Sequence, residues 1–251
     1  MEHHPRETII TTSDAVQLWT ASAGNGRLTV FISNGGPGCC DYLAPLADLL
    51  AADDRRVVRW EQRGIGRSGG SADGPFTLGQ CVADMETIRD HFGCEQWVVA
   101  GHSWGADLSL IYALTRPERC AGILCVAGGH LNNDREWHVD YERATKEGRE
   151  TQLEFSYPPN KSANHQLNAV YKLFVQCPTL FHQVATLEVP ALFLYGAMDI
   201  RPSWAVEQVA TLMPQARYIV LHEADHYVYL THPSEVRAYS NEFLDFLSQI
   251  V

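Results

Sequence analysis

Gly101-His102-Ser103-Trp104-Gly105 follows directly on the apolar run Trp97-Val98-Val99-Ala100 and precedes a helix-forming stretch at 106–112. A short apolar run without alternation is typical of a buried strand, so the pentapeptide is expected at a turn between a strand and a helix. Glycines at both ends of such a turn let the strand and the helix cross closely, and the strained turn exposes the serine hydroxyl. The sequence therefore predicts that Ser103 is a nucleophile on a sharp strand–turn–helix elbow.

Strand and helix patterns alternate along the rest of the chain. Short apolar runs predict strands at 28–33, 56–60, 97–100, 122–127, 191–195 and 218–221. An opening hairpin is predicted at 7–12 and 16–21, and helices at 42–51, 78–92 and 233–247. This alternation predicts an α/β fold with a mostly parallel central sheet and helices on both faces.

Residues 130–189 interrupt the alternation. They contain no clear strand pattern, and they are polar, aromatic and helix-prone. We therefore predict a core domain formed by 1–129 and 190–251. The segment 130–189 is predicted to be a small helical lid over the carboxyl edge of the sheet.

Composition restricts the partners and the compartment. A formal net charge of −11 argues against nucleic acid or an anionic membrane as the main partner. Residues 1–7 have no apolar signal core, and no apolar run approaches the ~20 residues of a membrane-spanning helix. Seven cysteines without a repeating spacing are typical of reduced thiols. We expect a cytoplasmic protein that binds neither nucleic acid nor membrane; the sequence does not predict its oligomeric state.

A serine hydroxyl needs a base, and the base needs an orienting acid. The candidate base is His226, directly after the last predicted strand, and the candidate acid is Asp199, just past the carboxyl end of its strand. Asp225 and His222 are the alternatives for these two roles, although Asp225 adjoins the base and His222 falls at the end of the strand. The order Ser, Asp, His is the one expected for a nucleophile on such an elbow.

The oxyanion of an acyl-transfer intermediate needs backbone donors, each worth about 3 kcal/mol of the barrier. One expected donor is the amide of Trp104, which the elbow fixes. The second is expected from the turn Asn34-Gly35-Gly36-Pro37-Gly38, where glycines let the backbone approach the substrate and proline stiffens the turn. Gly36 is the predicted donor.

Two other motifs compete for these regions. His222-Glu223-Ala224-Asp225-His226 nearly matches a zinc protease pattern, but that pattern requires a helix and this stretch follows a strand. Gly64-Ile65-Gly66-Arg67-Ser68-Gly69 matches a dinucleotide-binding pattern, but a loop follows it where such a site needs a helix. We therefore expect no metal and no cofactor.

Together the motifs resemble the α/β-hydrolase fold superfamily, and within it the proline iminopeptidase-like serine hydrolases. That family carries H-G-G-P-G, D-Q-R-G-x-G-x-S and G-G-S-W-G. The counterparts here are Asn34-Gly35-Gly36-Pro37-Gly38, Glu61-Gln62-Arg63-Gly64-Ile65-Gly66-Arg67-Ser68 and Gly101-His102-Ser103-Trp104-Gly105. The chain departs from the family at Asn34, Glu61 and His102, and its segment 130–189 is shorter than the family's lid.

The resemblance implies a serine hydrolase that acts on a small-molecule or short-peptide substrate through an acyl-enzyme. Its leading implication is an aminopeptidase for small peptides or amino-acid amides. In that family, carboxylates of the lid bind the free amino terminus of the substrate, and the candidates here are Glu147, Glu150 and Glu154. A carboxylesterase or thioesterase for small acyl esters and a non-catalytic ligand-binding member of the fold remain the alternatives.

Overall fold

The apolar runs of the sequence form one eight-stranded sheet in the computed structural model, which describes residues 5–250. Residues 1–4 and 251, at the ends of the predicted core domain, lie outside the described residues. The strands are β1 (Arg6–Thr11), β2 (Gln17–Ala23), β3 (Leu28–Ser33), β4 (Arg55–Trp60), β5 (Trp97–His102), β6 (Cys120–Val126), β7 (Ala191–Gly196) and β8 (Ala216–Leu221). The helices are α1 (Ala44–Leu50), α2 (Leu78–His91), α3 (Trp104–Thr115), α4 (Arg135–Lys146), α5 (Lys161–Phe174), α6 (Leu180–Ala185), α7 (Trp204–Leu212), α8 (Val228–Thr231) and α9 (Pro233–Ser248).

The strand order is β1-β2-β4-β3-β5-β6-β7-β8. Only the pairs β1–β2 and β2–β4 of this sheet are antiparallel, and the six strands from β4 to β8 in that order are parallel. The predicted opening hairpin and the mostly parallel sheet are therefore confirmed. Since parallel strands share one direction, the loops that follow β3, β5, β6, β7 and β8 leave the sheet at one edge.

Two apolar cores cover the two faces of the sheet. Successive side chains of a strand point to opposite faces. In β5, Val98 and Ala100 are fully buried in the core that contains α1, α8 and α9, whereas Trp97 and Val99 are fully buried in the core that contains α2, α3 and α7. This double burial explains why the strand sequences are uniformly apolar rather than alternating.

Residues 130–189 contain the helices α4, α5 and α6 and no strand, as their sequence indicates. Asp134 and Asn160 begin α4 and α5, because each side chain accepts a hydrogen bond from a backbone N–H three residues later. Helix α5 buries Ala163, Leu167 and Tyr171, which are spaced four residues apart and therefore lie on one face. The sequence patterns did not identify α7, which lies between β7 and β8.

The Gln-Arg-Gly-x-Gly-x-Ser block supports the loop that follows β3. The buried carboxylate of Glu61 accepts a hydrogen bond from the N–H of Asp41 (3.0 Å) and pairs with the Arg67 guanidinium (2.7 Å). The Ser68 hydroxyl donates to the carbonyl of Glu61 (2.6 Å) and accepts from the N–H of Trp19 (2.8 Å). A Cβ at position 66 would lie 2.4 Å from a Glu61 carboxylate oxygen, which explains the second glycine of the block.

All seven cysteines lie in the described part of the chain and are free thiols. Four of them are buried, and Cys177, in the loop between α5 and α6, is exposed.

Candidate active site

Ser103 lies at the turn between β5 and α3 with φ +56° and ψ −127°. A positive φ is strained for a residue with a side chain, and such strain concentrates at functional sites. A Cβ at position 105 would lie 2.0 Å from the carbonyl oxygen of Ser33, and one at position 101 would lie 2.1 Å from the backbone of Gly105. Both glycines are therefore needed for the close crossing of strand and helix that the sequence predicts.

The side chains of His226 and Asp199 lie in the loops that follow β8 and β7, and His226 Nδ1 lies 2.6 Å from Asp199 Oδ2. Burial alone would raise the pKa of Asp199, but the neighbouring His226 and Arg201 hold it below its ordinary value. Burial is the main cause that lowers the pKa of His226, and Arg201 adds to this effect, although Asp199 opposes it. A neutral imidazole that donates its Nδ1–H to an ionised carboxylate leaves Nε2 as the unprotonated nitrogen.

The turn Asn34-Gly35-Gly36-Pro37-Gly38 lies beside the elbow, where the first parallel strand ends. Gly36 has φ +120°, a backbone conformation that residues with a Cβ rarely adopt. Within residues 5–250, neither the amide of Gly36 nor the amide of Trp104 donates to a protein acceptor. Both residues line the same cavity as Ser103 and His226. Four of the predicted site residues are thus brought together, and Asp199 joins them through His226.

A hydrogen-bonded chain connects the turn to the loop of His226. The carbonyl of His226 can only accept, so His102 Nε2 donates to it (2.9 Å) and His102 Nδ1 is the accepting nitrogen. The Tyr42 hydroxyl donates to this Nδ1 (2.7 Å) and accepts from the N–H of Gly35 (2.9 Å). Burial lowers the pKa of His102 far below its ordinary value, which keeps the ring in this neutral form. Sequence reasoning identified His102 only as a departure from a family motif and did not identify Tyr42.

Arg201 is a second group that sequence reasoning missed. Its Nη1 lies 3.3 Å from Asp199 Oδ1, and its Nη2 pairs with the carboxylate of Glu150. The guanidinium also lies over the ring of Tyr141, 4.9 Å from the ring centroid. The spacing Asp199-Ile200-Arg201 could have indicated this contact, since a basic side chain two residues after an acidic one can form an ion pair with it.

The three predicted substrate-binding glutamates lie in different surroundings. Glu150 is the one that contacts the site, through its ion pair with Arg201. Glu147 pairs with Arg149 at the surface (2.9 Å), and Glu154 is exposed. None of the three lines the cavity at Ser103. Their role in substrate binding stays a prediction.

The cavity has a volume of about 460 Å³ and is lined by Ser103, by His226 and by many aromatic side chains. The aromatic residues that line it are Tyr42, Trp104, Trp137, Tyr141, Phe155, Tyr171, Tyr195 and Tyr227. Asp107, one turn after Ser103 on α3, is the acidic residue among the lining groups. Its Oδ1 accepts from His130 Nδ1 (2.9 Å) and from the N–H groups of Gly129 (2.8 Å) and His130 (3.0 Å). Burial alone would lower the pKa of His130, but Asp107 outweighs it and raises this pKa.

The stretches that resemble a zinc protease pattern and a dinucleotide-binding pattern do not have the local structure that these sites require. Residues 222–226 are turn and coil after β8, so the two histidines are not on one face of a helix. Residues 64–69 lead into a loop, and the next helix begins only at Leu78. Among residues 5–250 there is no cluster of three or more His, Cys, Asp or Glu side chains that could hold a metal ion. No helix in this range is long and apolar enough to cross a membrane.

Sequence comparison matches residues 29–144 to a family described as alpha/beta hydrolase fold. A probable proline iminopeptidase of Leptolyngbya boryana is 36% identical over 101 residues, which are 40% of this chain and 31% of that protein. The chain thus spans about a third of the length of this relative. A proline iminopeptidase of Heyndrickxia coagulans is 22% identical over 279 residues, covering 93% of this chain and 96% of that protein.

Structural comparison extends over the whole fold. A solved structure from a study of carboxylesterases of Nitrososphaera gargenis has a TM-score of 0.76 and 17% sequence identity, and covers 97% of this chain and 100% of that chain. At this identity the likeness shows the fold alone. The predicted fold class is confirmed.

Proposed function

Because the chain has the α/β-hydrolase fold and a proline iminopeptidase-like sequence, we propose that it is a serine hydrolase that works through an acyl-enzyme. One observation carries the proposal. A single cavity is lined by Ser103, by the Asp199-bound His226, and by Gly36 and Trp104, whose amides have no protein acceptor within residues 5–250. A nucleophile, a base held by an acid and two unused donors are the groups that acyl transfer needs.

In the proposed first half-reaction, Ser103 Oγ forms a bond to the carbonyl carbon of the substrate, and its proton passes to His226 Nε2. The negative charge on the substrate oxygen is held by the amides of Gly36 and Trp104. The bond to the leaving group then breaks, and the leaving amine or alcohol takes the proton from His226 Nε2. Asp199 stabilises the imidazolium that exists between these two transfers and keeps Nε2 turned toward the serine.

The second half-reaction releases the acyl group by the same route. Water gives a proton to His226 Nε2 while its oxygen attacks the acyl carbon, and the Ser103 ester bond then breaks as Oγ recovers that proton. The proposed chemistry uses only side chains, backbone amides and water.

We propose small peptides or amino-acid amides with a free amino terminus as the leading substrate class. The support is the similarity to relatives described as proline iminopeptidases. Residues 130–189 are the proposed helical lid, set on a core of 1–129 and 190–251, because their helices contribute Trp137, Tyr141 and Tyr171 to the cavity wall. The seven free thiols support a reducing compartment, and hence a cytoplasmic location.

Small acyl esters or thioesters are the second candidate class. The observation that favours them is the cavity lining, where Asp107 is the acidic residue and already pairs with His130. A substrate without an amino group needs no further carboxylate.

The test compares hydrolysis of proline p-nitroanilide and of p-nitrophenyl butyrate by the purified protein and by its Ser103→Ala variant. We expect the substitution to lower turnover by about a million-fold, because the three groups act as a unit. Ser103-dependent cleavage of the anilide supports the aminopeptidase, and cleavage of the ester alone supports the esterase. Turnover that survives in Ser103→Ala contradicts Ser103 as the nucleophile. Stoichiometric binding of both compounds without turnover contradicts the serine hydrolase and leaves the non-catalytic alternative.

A further inference from the structure

The peptide groups on both sides of the Gly36 amide are held by side chains. On one side, the N–H of Gly35 donates to the Tyr42 hydroxyl (2.9 Å). On the other side, the carbonyl of Gly36 accepts from Asn164 Nδ2 (2.7 Å). The amide of Gly36 lies between these two fixed groups and has no protein acceptor of its own within the described residues.

Helix α5 supplies the second of these contacts, and residues at its start make further hydrogen bonds to the turn. Asn164 Nδ2 also donates to the carbonyl of Pro37 (3.0 Å), and the N–H of Asn160 donates to the carbonyl of Gly38 (2.8 Å). Three consecutive carbonyls of the turn are therefore bound by the first turn of α5. Carbonyls can only accept, so the atom of Asn164 that faces them is its NH₂ group. Its Oδ1 accepts from Asn168 Nδ2 (3.2 Å), which holds the plane of the side-chain amide.

The turn needs this support because it is rich in glycine. The peptide between Gly35 and Gly36 joins two residues without a Cβ, so its rotation is sterically unhindered. A rotated peptide would point its carbonyl oxygen, rather than the Gly36 N–H, at the substrate oxygen. That carbonyl oxygen would repel the oxyanion that the Gly36 N–H is proposed to stabilise.

We infer that Asn164 is a positioning residue for the oxyanion hole, through its hydrogen bonds to the carbonyls of Gly36 and Pro37. This inference rests on the proposed function. It makes the first turn of α5 a fixed part of the catalytic apparatus, although α5 lies in the segment proposed as a lid. A donor that is fixed before the reaction stabilises charge without the energetic cost of reorganisation.

The test is the kinetic effect of Asn164→Leu and Asn164→Asp on hydrolysis of p-nitrophenyl butyrate. Loss of a whole oxyanion donor costs about 10²–10³-fold in kcat, so we expect misalignment of Gly36 to cost about 10-fold or more, with KM little changed. Asn164→Asp is expected to be the worse of the two, because its carboxylate faces two carbonyl oxygens. A boronic acid inhibitor that forms a tetrahedral adduct on serine should lose affinity by the same factor as kcat, whereas the carboxylic acid product should not.

Gln166→Leu is the matched control on the same helix. Gln166 accepts from the N–H of Phe76 (3.1 Å) and donates to the carbonyl of Asp73 (2.8 Å), so it also ties α5 to a neighbouring loop by two backbone contacts. It touches neither the turn nor the cavity. We expect Gln166→Leu to lower the melting temperature about as much as Asn164→Leu while kcat stays near that of the wild type.

Two outcomes would overturn the inference. One is an equal kcat in Asn164→Leu and Gln166→Leu, which would make Asn164 a structural contact only. The other is an effect confined to KM, which would make it a substrate contact. Both differ from failure of the proposed function, in which the wild-type protein shows no Ser103-dependent turnover at all.

Discussion

Arg201 and His226 bind the two oxygens of the same carboxylate. Arg201 Nη1 lies 3.3 Å from Asp199 Oδ1, and the backbone N–H of Arg201 donates to that oxygen as well (3.0 Å). His226 Nδ1 lies 2.6 Å from Asp199 Oδ2. The fixed positive charge of Arg201 thus shares the Asp199 carboxylate with His226, the proposed base, and it disfavours the protonated form of His226.

Removal of this charge should move the pH dependence of the reaction. Of the charged groups around His226, Asp199 raises its pKa and Arg201 lowers it, while Glu150 raises it more weakly. The ring of His102, which packs against His226, is neutral. In Arg201→Met the lowering charge is lost, so the pKa of His226 rises. Because the base must be unprotonated, the acid limb of kcat/KM should move to higher pH.

The measurement is kcat/KM for p-nitrophenyl butyrate across the acid limb. Arg149→Met is the control, because Arg149 is an exposed arginine that pairs with Glu147 away from the cavity. An acid limb that stays in place in Arg201→Met, or moves to lower pH, would contradict the proposed effect of this charge.

The three candidate glutamates should differ in how their replacement by glutamine changes the pH dependence of hydrolysis. Glu150 is the one whose charge reaches His226, and its carboxylate raises the pKa of that ring. Glu150→Gln should therefore move the acid limb to lower pH with either substrate, while Glu147→Gln and Glu154→Gln leave it in place. A rise in KM for proline p-nitroanilide but not for the butyrate ester, in any of the three variants, would instead identify an amine-binding carboxylate.

Tyr42→Phe should lower both the stability of the fold and the rate of hydrolysis. The substitution removes one hydroxyl and leaves the buried N–H of Gly35 and His102 Nδ1 without partners. We expect the free energy of unfolding to fall by about 1–3 kcal/mol, measured by urea denaturation. We expect kcat to fall as well, since the turn of Gly36 loses the hydroxyl that holds the N–H of Gly35.

Tyr157→Phe provides the reference for that variant, because Tyr157 is 42% exposed. Its unfolding curve and kcat should match those of the wild type. Equal behaviour of Tyr42→Phe and Tyr157→Phe would show that the chain of hydrogen bonds through His102 contributes little.

The elbow glycine and a helical glycine should respond in opposite directions to alanine. In Gly105→Ala the new Cβ would lie 2.0 Å from the carbonyl oxygen of Ser33, so strand and helix must separate, at a cost of about 3 kcal/mol or more of unfolding free energy. At position 79, in the first turn of α2, a new Cβ would meet no atom within 4 Å other than its chain neighbours and the backbone of its own helix. There alanine should add about 0.5–1 kcal/mol because it reduces the entropy of the unfolded chain. Thermal unfolding of the two variants checks the difference.

Patterns local in the chain predicted most of the sheet. Buried parallel strands such as β5 and β7 are recognisable because both of their faces require apolar side chains. Strand and helix ends differ by a few residues, as for β6, which begins at Cys120 rather than 122. The helix α7 was missed because its sequence, rich in Val and Ala, does not stand out between two apolar strands.

The candidate site was only partly predictable for a physical reason. Ser103, Asp199 and His226 each follow a strand end, and the sequence shows where strands end. By contrast, Asn164 contacts a carbonyl 128 residues earlier, and Arg201 pairs with a glutamate 51 residues earlier. Such contacts depend on how distant segments approach one another, which no local spacing encodes.

The distribution of thiols makes Cys177 the preferred site for a fluorescent label, because it is the exposed one of the seven cysteines, all of which lie in the described residues. The thiolate is the form that attacks a thiol-reactive dye, and the hydroxyl of Thr179 lowers the pKa of the exposed Cys177. In the cavity, burial raises the pKa of Cys39 to about 12, so that thiol stays protonated at neutral pH. A maleimide dye would therefore attach just beyond the last turn of α5, where its emission can test whether this end of the helix moves when a candidate substrate is added.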